Sequence, residues 1–318
     1  MSSKGKLIGL FDVDSKIPNL PLMKLSAWHK KRGDETELYM PIRHSMYDKI
    51  YASKIFNFSD GSMITDDMIT GGTGFNNKNN LPPGVDEMDP DYSLYDYPHN
   101  IGFAMRGCRF KCSFCVVPEK EGKARSESSI GKIWTQRTSN FLVLLDNDFF
   151  GNPNWKECID EINEYKLKVN FSQGLNIRII SERQAEASAS VNFASASGKN
   201  KSVTFAWDNI KDERTIRRGF KRIMEAGLKP YQVQFYVLIG YDSTPEEDMH
   251  RVMEIHKWDA DPFVMAYDRT NEYQRKFQRW VNHKALFKSI SFEEYHKPLK
   301  NHQIRKEDPN QLNLFESI

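Results

Sequence analysis

Residues 101–115 read IGFAMRGCRFKCSFC, an apolar segment that leads directly into three closely spaced cysteines. The chain of 318 residues contains four cysteines, and only Cys158 lies outside this stretch. The first five residues of the stretch predict a buried strand, so Cys108, Cys112 and Cys115 belong to the loop that follows it. The spacing Cys-x₃-Cys-x₂-Cys allows one loop to direct three thiolates to a single inorganic centre.

The strand before the cysteines is the first of a series. Six apolar runs separated by helical segments predict strands at Ile101–Met105, Phe141–Leu145, Val169–Phe171, Val203–Ala206, Val233–Ile239 and Phe263–Ala266. Strands that alternate with helices pair in parallel through right-handed crossovers. Six units are fewer than the eight of a closed barrel, so an α/β domain with an open, three-quarter barrel is expected over residues 99–267.

Helix boundaries between these strands carry sequence signals with a physical basis. Ser181 with Gln184, and Thr244 with Glu247, have the spacing of a capping box, in which each side chain accepts from the backbone N–H of the other residue. Gly227 follows a predicted helix and indicates its C-terminal end. These signals favour crossover helices between the strands rather than irregular loops.

The segments on either side of this region differ from it. Residues 1–75 predict a small open α/β sheet, residues 76–98 a linker rich in Asn, Pro and Asp, and residues 268–318 a basic helical extension. The elements predicted in the first segment are strands at Leu7–Phe11, Glu37–Met40 and Ile50–Phe56 and a helix at Pro18–Lys31, with Ile64–Ile69 ambiguous. Two α/β domains with a helical cover are therefore expected.

Composition excludes several classes of protein. Basic and acidic residues nearly balance, 45 against 43, which argues against a protein that coats nucleic acid along its whole length. No apolar run approaches the roughly 20 residues of a membrane helix. Asp12 and Asp14 interrupt the first apolar run, so no signal peptide is expected. Four cysteines do not make a disulfide framework, and a cytoplasmic location is expected.

Three thiols in one loop suit an inorganic centre, and the residues leave its identity open. Arg106, Arg109 and Lys111 add positive charge, which is expected to lower the pKa of the thiols. A structural zinc site needs four ligands, and the candidate for the fourth, His99, lies on the far side of the predicted strand. A four-iron cluster held by three cysteines leaves one iron open to bind a small molecule. Three core cysteines brought together by chance are the remaining alternative.

The motif Cys108-x₃-Cys112-x₂-Cys115, with Phe114 before the last cysteine, follows the first strand and resembles the signature of radical SAM enzymes. This resemblance implies a partial (βα)₆ barrel of the TIM type, whose three cysteines bind a [4Fe–4S] cluster. It also implies that S-adenosylmethionine binds the open iron and that a donor such as flavodoxin or ferredoxin supplies one electron. Reductive cleavage then gives methionine and a 5′-deoxyadenosyl radical, which abstracts hydrogen from a substrate.

Three segments at later strand ends are similar to the family's contacts with S-adenosylmethionine. They contribute the cofactor-binding candidates Asp146, Asn147, Gln173, Arg178 and Gly240. Ligands of open parallel sheets gather at the carboxyl ends of the strands, so these residues are expected to face one pocket. The alternatives are a solvated loop acid for Asp146, a surface ion pair for Arg178 and a simple turn for Gly240.

The N-terminal segment resembles the Rossmann-like, cobalamin-binding-like domain that precedes the barrel in many cobalamin-dependent radical SAM enzymes. The Asp-x-His-x-x-Gly pattern that supplies the lower cobalt ligand is missing around His29 and His44. The glycine-rich stretch Gly71–Gly74 could approach a phosphate or a nucleotide tail. Cobalamin is therefore the minor alternative, and a scaffold that caps the barrel or contacts the substrate is the main expectation.

The C-terminal extension is basic and aromatic. Residues 268–306 contain ten Lys or Arg against four Asp or Glu. The aromatic residues at helical spacing are Tyr273, Phe277, Trp280 and Phe287. This spacing predicts a stripe that faces the core, with the outer cations available to a polyanion.

On a separate predicted helix, Cys158 is expected to be a small buried hydrophobe, with a reactive thiol as the alternative.

The resemblance to radical SAM enzymes therefore implies an enzyme that cleaves S-adenosylmethionine reductively and abstracts hydrogen from an unidentified substrate. A nucleotide or a nucleic-acid base is favoured as the substrate because the C-terminal extension combines cations with aromatic residues. The alternative is a non-catalytic zinc- or cluster-binding module that recognises nucleic acid or a protein partner. The sequence does not decide the reaction that follows hydrogen abstraction.

Overall fold

The computed structural model describes residues 5–75 and 79–296. These residues fall into two compact units. The first comprises the chain up to Asn176 together with Ile180–Val203, and the second comprises Ile177–Ile179 together with the chain from Thr204 onward. Within the described residues, no helix combines the length and the apolar character needed to cross a membrane.

The first unit begins with a four-stranded parallel sheet in the order β2-β1-β3-β4. Its strands are β1 (Leu7–Asp12), β2 (Glu35–Leu38), β3 (Lys49–Ser53) and β4 (Ile69–Gly71), and α1 (Leu20–Lys31) connects β1 to β2. Asn19 begins the helix by accepting the N–H of Leu22 at 3.2 Å. The predicted first strand and helix are confirmed. The ambiguous segment becomes a strand only at its last residue.

A second parallel sheet in the first unit has the order β10-β9-β8-β5. Its strands are β5 (Asn100–Gly102), β8 (Phe141–Leu144), β9 (Lys168–Phe171) and β10 (Asn192–Phe193). Two short strands, β6 (Met105–Arg106) and β7 (Arg125–Ser126), pair antiparallel after β5. The helices of this region are α2 (Val117–Lys120), α3 (Ile130–Ile133), α4 (Trp155–Glu164) and α5 (Glu182–Ser190).

The second unit contains a three-stranded sheet in the order β11-β12-β13, and β12 and β13 run parallel. Its strands are β11 (Val203–Ala206), β12 (Val233–Ile239) and β13 (Asp261–Ala266). Its helices are α6 (Glu213–Glu225), α7 (Pro245–Lys257), α8 (Glu272–Asn282), α9 (Lys284–Ser289) and α10 (Phe292–His296). Alternate residues of β12 are buried, which gives the sheet one fully packed face.

All six strands predicted from residue 101 onward exist, and the α/β class with parallel sheets is confirmed. They are distributed over two sheets, with the first three joined by β10 in one unit and the last three in the other. The single partial barrel and the predicted domain boundaries stay predictions. Both capping boxes are present, and Gly227 adopts a φ of 105° just after α6.

The aromatic stripe of the C-terminal extension faces the core of its unit, as its spacing predicts. Phe277, Trp280 and Phe287 are buried, and their rings contact one another within the cluster formed by α8 and α9. The side chain of Asn282 accepts the N–H of Val264 at 2.7 Å, which joins α8 to β13. Residues 297–318 of the predicted extension lie outside the described residues.

Candidate functional site

The three clustered cysteines lie in a loop whose two ends are held together. This cysteine loop spans residues 105–126, and the antiparallel pair β6 and β7 forms its base. The N–H of Cys108 donates to the carbonyl of Gly122 at 3.2 Å and closes the loop further. Gly107 has a φ of 77°, and a Cβ there would stand 2.3 Å from the carbonyl oxygen of Lys123, so this position requires glycine.

Cys108, Cys112 and Cys115 form no disulfide bond and are half-buried. The N–H of Phe110 donates to the Cys108 sulfur at 3.4 Å, a contact that favours the thiolate. Burial nevertheless raises the pKa of Cys108, and the neighbouring Asp148, Cys112 and Cys115 raise it further.

The expectation that nearby cations lower the thiol pKa is wrong for Cys108. The reason is that two of these cations are already paired with carboxylates. Arg109 forms an ion pair with Asp148, and the Arg106 guanidinium lies 3.5 Å from Glu121. A paired cation has little net field to offer a thiolate, and burial then dominates.

The cysteine loop is also anchored at Arg109, which follows Cys108 directly. Its guanidinium donates to both carboxylate oxygens of Asp148, at 2.7 Å from Nε and 2.8 Å from Nη2, and its backbone N–H donates to the same carboxylate at 3.2 Å. The pair is therefore bidentate. The Asp148 side chain is only 1% exposed, whereas that of Arg109 is partly exposed to water. This anchor reaches the loop from the segment that follows β8.

The base of the cysteine loop is anchored by Asp146. Its Oδ1 accepts the N–H groups of Ala104 and Met105, at 2.8 and 3.1 Å. Its Oδ2 is buried and has no hydrogen-bond partner among the described residues. Burial raises the pKa of Asp146 to about 7, against the opposing effect of the two N–H donors. The alternative of a solvated loop acid is therefore wrong.

Asn147, between these two acids, reaches the returning side of the loop. Its Nδ2 donates to Oε2 of Glu121 at 3.0 Å, and the same oxygen accepts the N–H of Gly107 at 3.0 Å. Three consecutive residues, 146–148, thus contact the cysteine loop at Met105, Glu121 and Arg109. We call these residues the anchor segment.

The remaining predicted contacts with S-adenosylmethionine are distributed over the two units. Gln173 is an exposed residue of the first unit, in the turn after β9. Arg178 and Gly240 belong to the second unit, where Arg178 donates to Asp212 at 3.0 Å. Gly240 has a φ of 76°, and a Cβ there would stand 2.0 Å from the Gln274 side chain, so this turn requires glycine. Arg178 thus forms an ion pair and Gly240 forms a turn, which are the alternatives to ligand contact that the sequence offers.

In the N-terminal segment, both ring nitrogens of His29 already have partners, so His29 does not serve as a lower ligand for cobalt. His29 is buried, with Nδ1 2.7 Å from Asp34 and Nε2 3.2 Å from the Tyr51 hydroxyl, so neither ring nitrogen is offered to a metal. In the glycine-rich stretch, a Cβ on Gly72 would stand 2.3 Å from the carbonyl oxygen of Lys54. A Cβ on Gly74 would likewise meet the backbone of the segment after β3. Close backbone packing therefore accounts for glycine at both positions.

Cys158 has the structural role expected of it. It is 3% exposed on α4, and burial raises its thiol pKa to about 12, which leaves it protonated and unreactive. Asn152 lies 3.6 Å from its sulfur and donates to the carbonyl of Ala104 at 3.2 Å. Asn152 also accepts from Ser126 at 2.6 Å, and so supports both sides of the loop base.

Sequence reasoning missed Glu121, Asp148 and Asn152 as supports of the cysteine loop. Each acts across the fold on residues distant in sequence, and no local pattern marks such a contact. The one signal in the sequence is Asp146, which the resemblance assigns to cofactor contact. The hydrogen bonds of Asp146 are instead with the base of the cysteine loop.

The donor set of the loop fits an iron–sulfur cluster by its chemistry. It offers three thiols from one loop, and Fe–S clusters are held by thiolates. His99, the candidate fourth zinc ligand, places Nδ1 3.1 Å from Ser139 and packs its ring edge-on against Phe141. Throughout residues 5–75 and 79–296, no group of three or more His, Cys, Asp or Glu side chains stands arranged to hold a metal ion. Ligation would therefore require the thiols to turn toward a common centre.

No protein-family model, no curated protein and no solved structure matches this chain. Its function must therefore be inferred from its own residues and from the geometry of the cysteine loop.

Proposed function

We propose that this chain is a radical SAM enzyme that binds a four-iron, four-sulfur cluster through Cys108, Cys112 and Cys115. The observation that carries the proposal is the cysteine loop itself. It follows β5 of a parallel sheet, both of its ends are tied, and it offers three half-buried thiols on one short segment. The partial (βα)₆ barrel belongs to the same proposal.

The residues around the thiols have separable tasks in this proposal. The N–H of Phe110 stabilises negative charge on the Cys108 sulfur, and the anchor segment fixes the backbone that presents the thiols. Because burial raises the pKa of Cys108, ligation must release its proton, and cluster loading is expected to become easier as the pH rises. When bound, the cluster supplies the electron that cleaves S-adenosylmethionine to methionine and a 5′-deoxyadenosyl radical.

The contacts with S-adenosylmethionine stay a proposal with one change. Asp146 uses Oδ1 on the loop base and is buried, so we assign it to holding the loop rather than to the ligand. Asn147 and Gln173 in the first unit remain proposed ligand contacts. Arg178 and Gly240, which belong to the second unit, remain proposed contacts with S-adenosylmethionine.

A nucleotide or a nucleic-acid base remains the proposed substrate class, and its support is now charge alone. Phe277, Trp280 and Phe287 are buried against one another, so these three rings are not a stacking surface for bases. Arg275 and Arg279 are exposed one turn apart on α8 and offer a basic face to a polyanion. A flavodoxin or ferredoxin remains the proposed electron donor.

Binding of a single-stranded oligonucleotide at several salt concentrations tests the basic face. Changing both Arg275 and Arg279 to Gln is expected to weaken binding and to make it less dependent on salt, because fewer counterions are released. The matched control changes Arg214 and Arg218 to Gln, two exposed arginines one turn apart on α6. Equal weakening by both pairs, or no binding by the unchanged protein, would remove the support for a nucleic-acid substrate.

Metal analysis of anaerobically purified protein tests the proposed cofactor. We expect about four irons and four sulfides per chain, as a four-iron cluster requires. Changing Cys112 to Ala should abolish iron binding, whereas changing the buried Cys158 to Ala should leave it intact. One zinc per chain without iron would favour the non-catalytic module and would refute the enzyme.

A further inference from the structure

The cysteine loop is much more basic than the chain that contains it. Residues 105–126 carry six Lys or Arg against two Glu, whereas the whole chain carries 45 basic against 43 acidic residues. Two of the six cations serve the fold, because Arg109 is paired with Asp148 and Arg106 lies beside Glu121. The excess charge therefore belongs to the other four cations. These are Lys111, Lys120, Lys123 and Arg125.

The four remaining cations are exposed, and none of them has an ion-pair partner among the residues that the structure describes. Lys120 donates to the hydroxyl of Thr73, and Arg125 donates to the backbone carbonyl of Glu121. Both acceptors are uncharged, so they hold the side chains without neutralising them. The positive charge of the loop is therefore available to a partner of opposite charge.

Apolar side chains lie on the same loop as these cations. Val116 is 53% exposed, and Phe110 and Phe114 are half-buried, so each leaves part of its surface accessible. The two ends of the loop are tied by the antiparallel pair β6 and β7 and by the bond from the Cys108 N–H to the Gly122 carbonyl. The loop thus offers apolar contacts and unpaired cations on one short, closed segment, a composition that suits a protein–protein interface.

The charge pattern favours a protein over a nucleic acid as the partner. Glu119 is exposed directly beside Lys120, so a continuous run of phosphates would meet a carboxylate of the same sign there. A protein surface can place its carboxylates opposite the cations and leave the position of Glu119 uncharged. The half-buried Phe110 and Phe114 also lack the open faces on which bases stack.

We propose that the cysteine loop docks an acidic protein through Lys111, Lys120, Lys123 and Arg125, with Val116 in the apolar part of the contact. The partner is the electron donor of the proposed function, and the inference rests on that function only for the identity of the partner. The docking surface itself consists of side chains that are exposed before any cofactor is bound.

Binding of an acidic flavodoxin to the full chain, measured at several salt concentrations without reconstitution of a cluster, tests the surface. Changing both Lys111 and Lys123 to Gln should weaken binding roughly 2- to 30-fold at low salt, as expected for the loss of two exposed ion pairs. The effect should shrink as salt is raised, because salt screens exposed charges. Val116→Ala should weaken binding to the same extent at low and high salt, because it removes apolar contact rather than charge.

Two controls separate the position of the charges from their number and from damage to the loop. Lys156 and Lys166 are exposed, on α4 and just after it, and changing both to Gln should leave flavodoxin binding unchanged. Changing Lys111 and Lys123 to Arg keeps both charges and should retain binding. Loss of binding in this Arg pair would overturn the inference, because charge alone would then not explain the Gln pair.

The outcomes distinguish the docking surface from the proposed function. Absence of flavodoxin binding by the unchanged chain, or equal weakening by the loop pair and the α4 pair, overturns the inference and leaves the proposed enzyme standing. A loop pair that loses binding to a single-stranded oligonucleotide but keeps binding to flavodoxin assigns the surface to nucleic acid and also overturns it. Salt-dependent flavodoxin binding by a chain that never holds a cluster supports the surface and refutes the function alone.

Discussion

Replacement of Gly107 by Ala is expected to open the base of the cysteine loop. The residue has a φ of 77°, a conformation that costs a residue with a Cβ about 1–2 kcal/mol. Its new Cβ would also stand 2.3 Å from the Lys123 carbonyl oxygen and 2.7 Å from that of Gly122. Backbone cannot move aside as a flexible side chain does, so overpacking adds about 1–3 kcal/mol. The total expected destabilisation of the loop is about 2–5 kcal/mol.

Gly122 provides a matched control within the same loop. It has a φ of 76°, and a Cβ there would meet no described atom within 4 Å. Gly122→Ala therefore carries the conformational strain without the collision and should cost about 1–2 kcal/mol. The difference between the two variants isolates the contact of position 107 with the backbone of Gly122 and Lys123.

Hydrogen exchange of the loop amides is the suitable assay, because it reports local opening rather than unfolding of the whole chain. The amide of Cys108, which donates to the Gly122 carbonyl, should exchange faster in Gly107→Ala than in Gly122→Ala. Iron content should fall in the same order. If both variants exchange alike, the loop is not closed by this backbone contact and the description of its base is wrong.

Three further predictions concern other parts of the fold. The pKa of Asp146 is raised to about 7, so between about pH 4 and 7 the folded protein keeps a proton on this carboxyl that the unfolded chain has lost. The free energy of unfolding should therefore fall as the pH rises through this range, by up to about 1.4 kcal/mol per pH unit. Urea unfolding of Asp146→Asn at several pH values should lack this dependence. Gly240→Ala should lower the melting temperature because its Cβ would collide with the Gln274 side chain. The double variant Gly240→Ala/Gln274→Ala should recover part of the lost melting temperature. Phe277→Ala should cost about 3–5 kcal/mol in chemical unfolding and leave oligonucleotide binding unchanged, because the ring is buried.

Strands and helix ends could be predicted because their signals are local. The apolar runs specified six strands, and Ser181 with Gln184 specified the start of α5 through a contact only three residues long. The errors have physical causes. β2 begins at Glu35, two residues before its predicted start, because pairing of Leu7 with Glu35 sets the register. β10 was missed because two residues are too few to form a pattern.

The candidate site was predictable only in part. The position of the three cysteines after β5 follows from the sequence, because both the strand and the spacing are continuous stretches of chain. The partners of that loop do not follow from it. Asp148 is 39 residues from Arg109, and its burial arises only when β8 lies beside β5. Asp146 was assigned to a ligand because the sequence cannot tell an acid that binds backbone from one that faces a pocket.

Reductive cleavage of S-adenosylmethionine is the most direct test of the proposed enzyme. The reconstituted protein would be mixed with S-adenosylmethionine under anaerobic conditions, with and without a strong one-electron reductant, and 5′-deoxyadenosine would be measured. We predict release of 5′-deoxyadenosine that depends on the reductant and disappears in Cys112→Ala. A chain that holds its full complement of iron and still releases none would contradict the central claim.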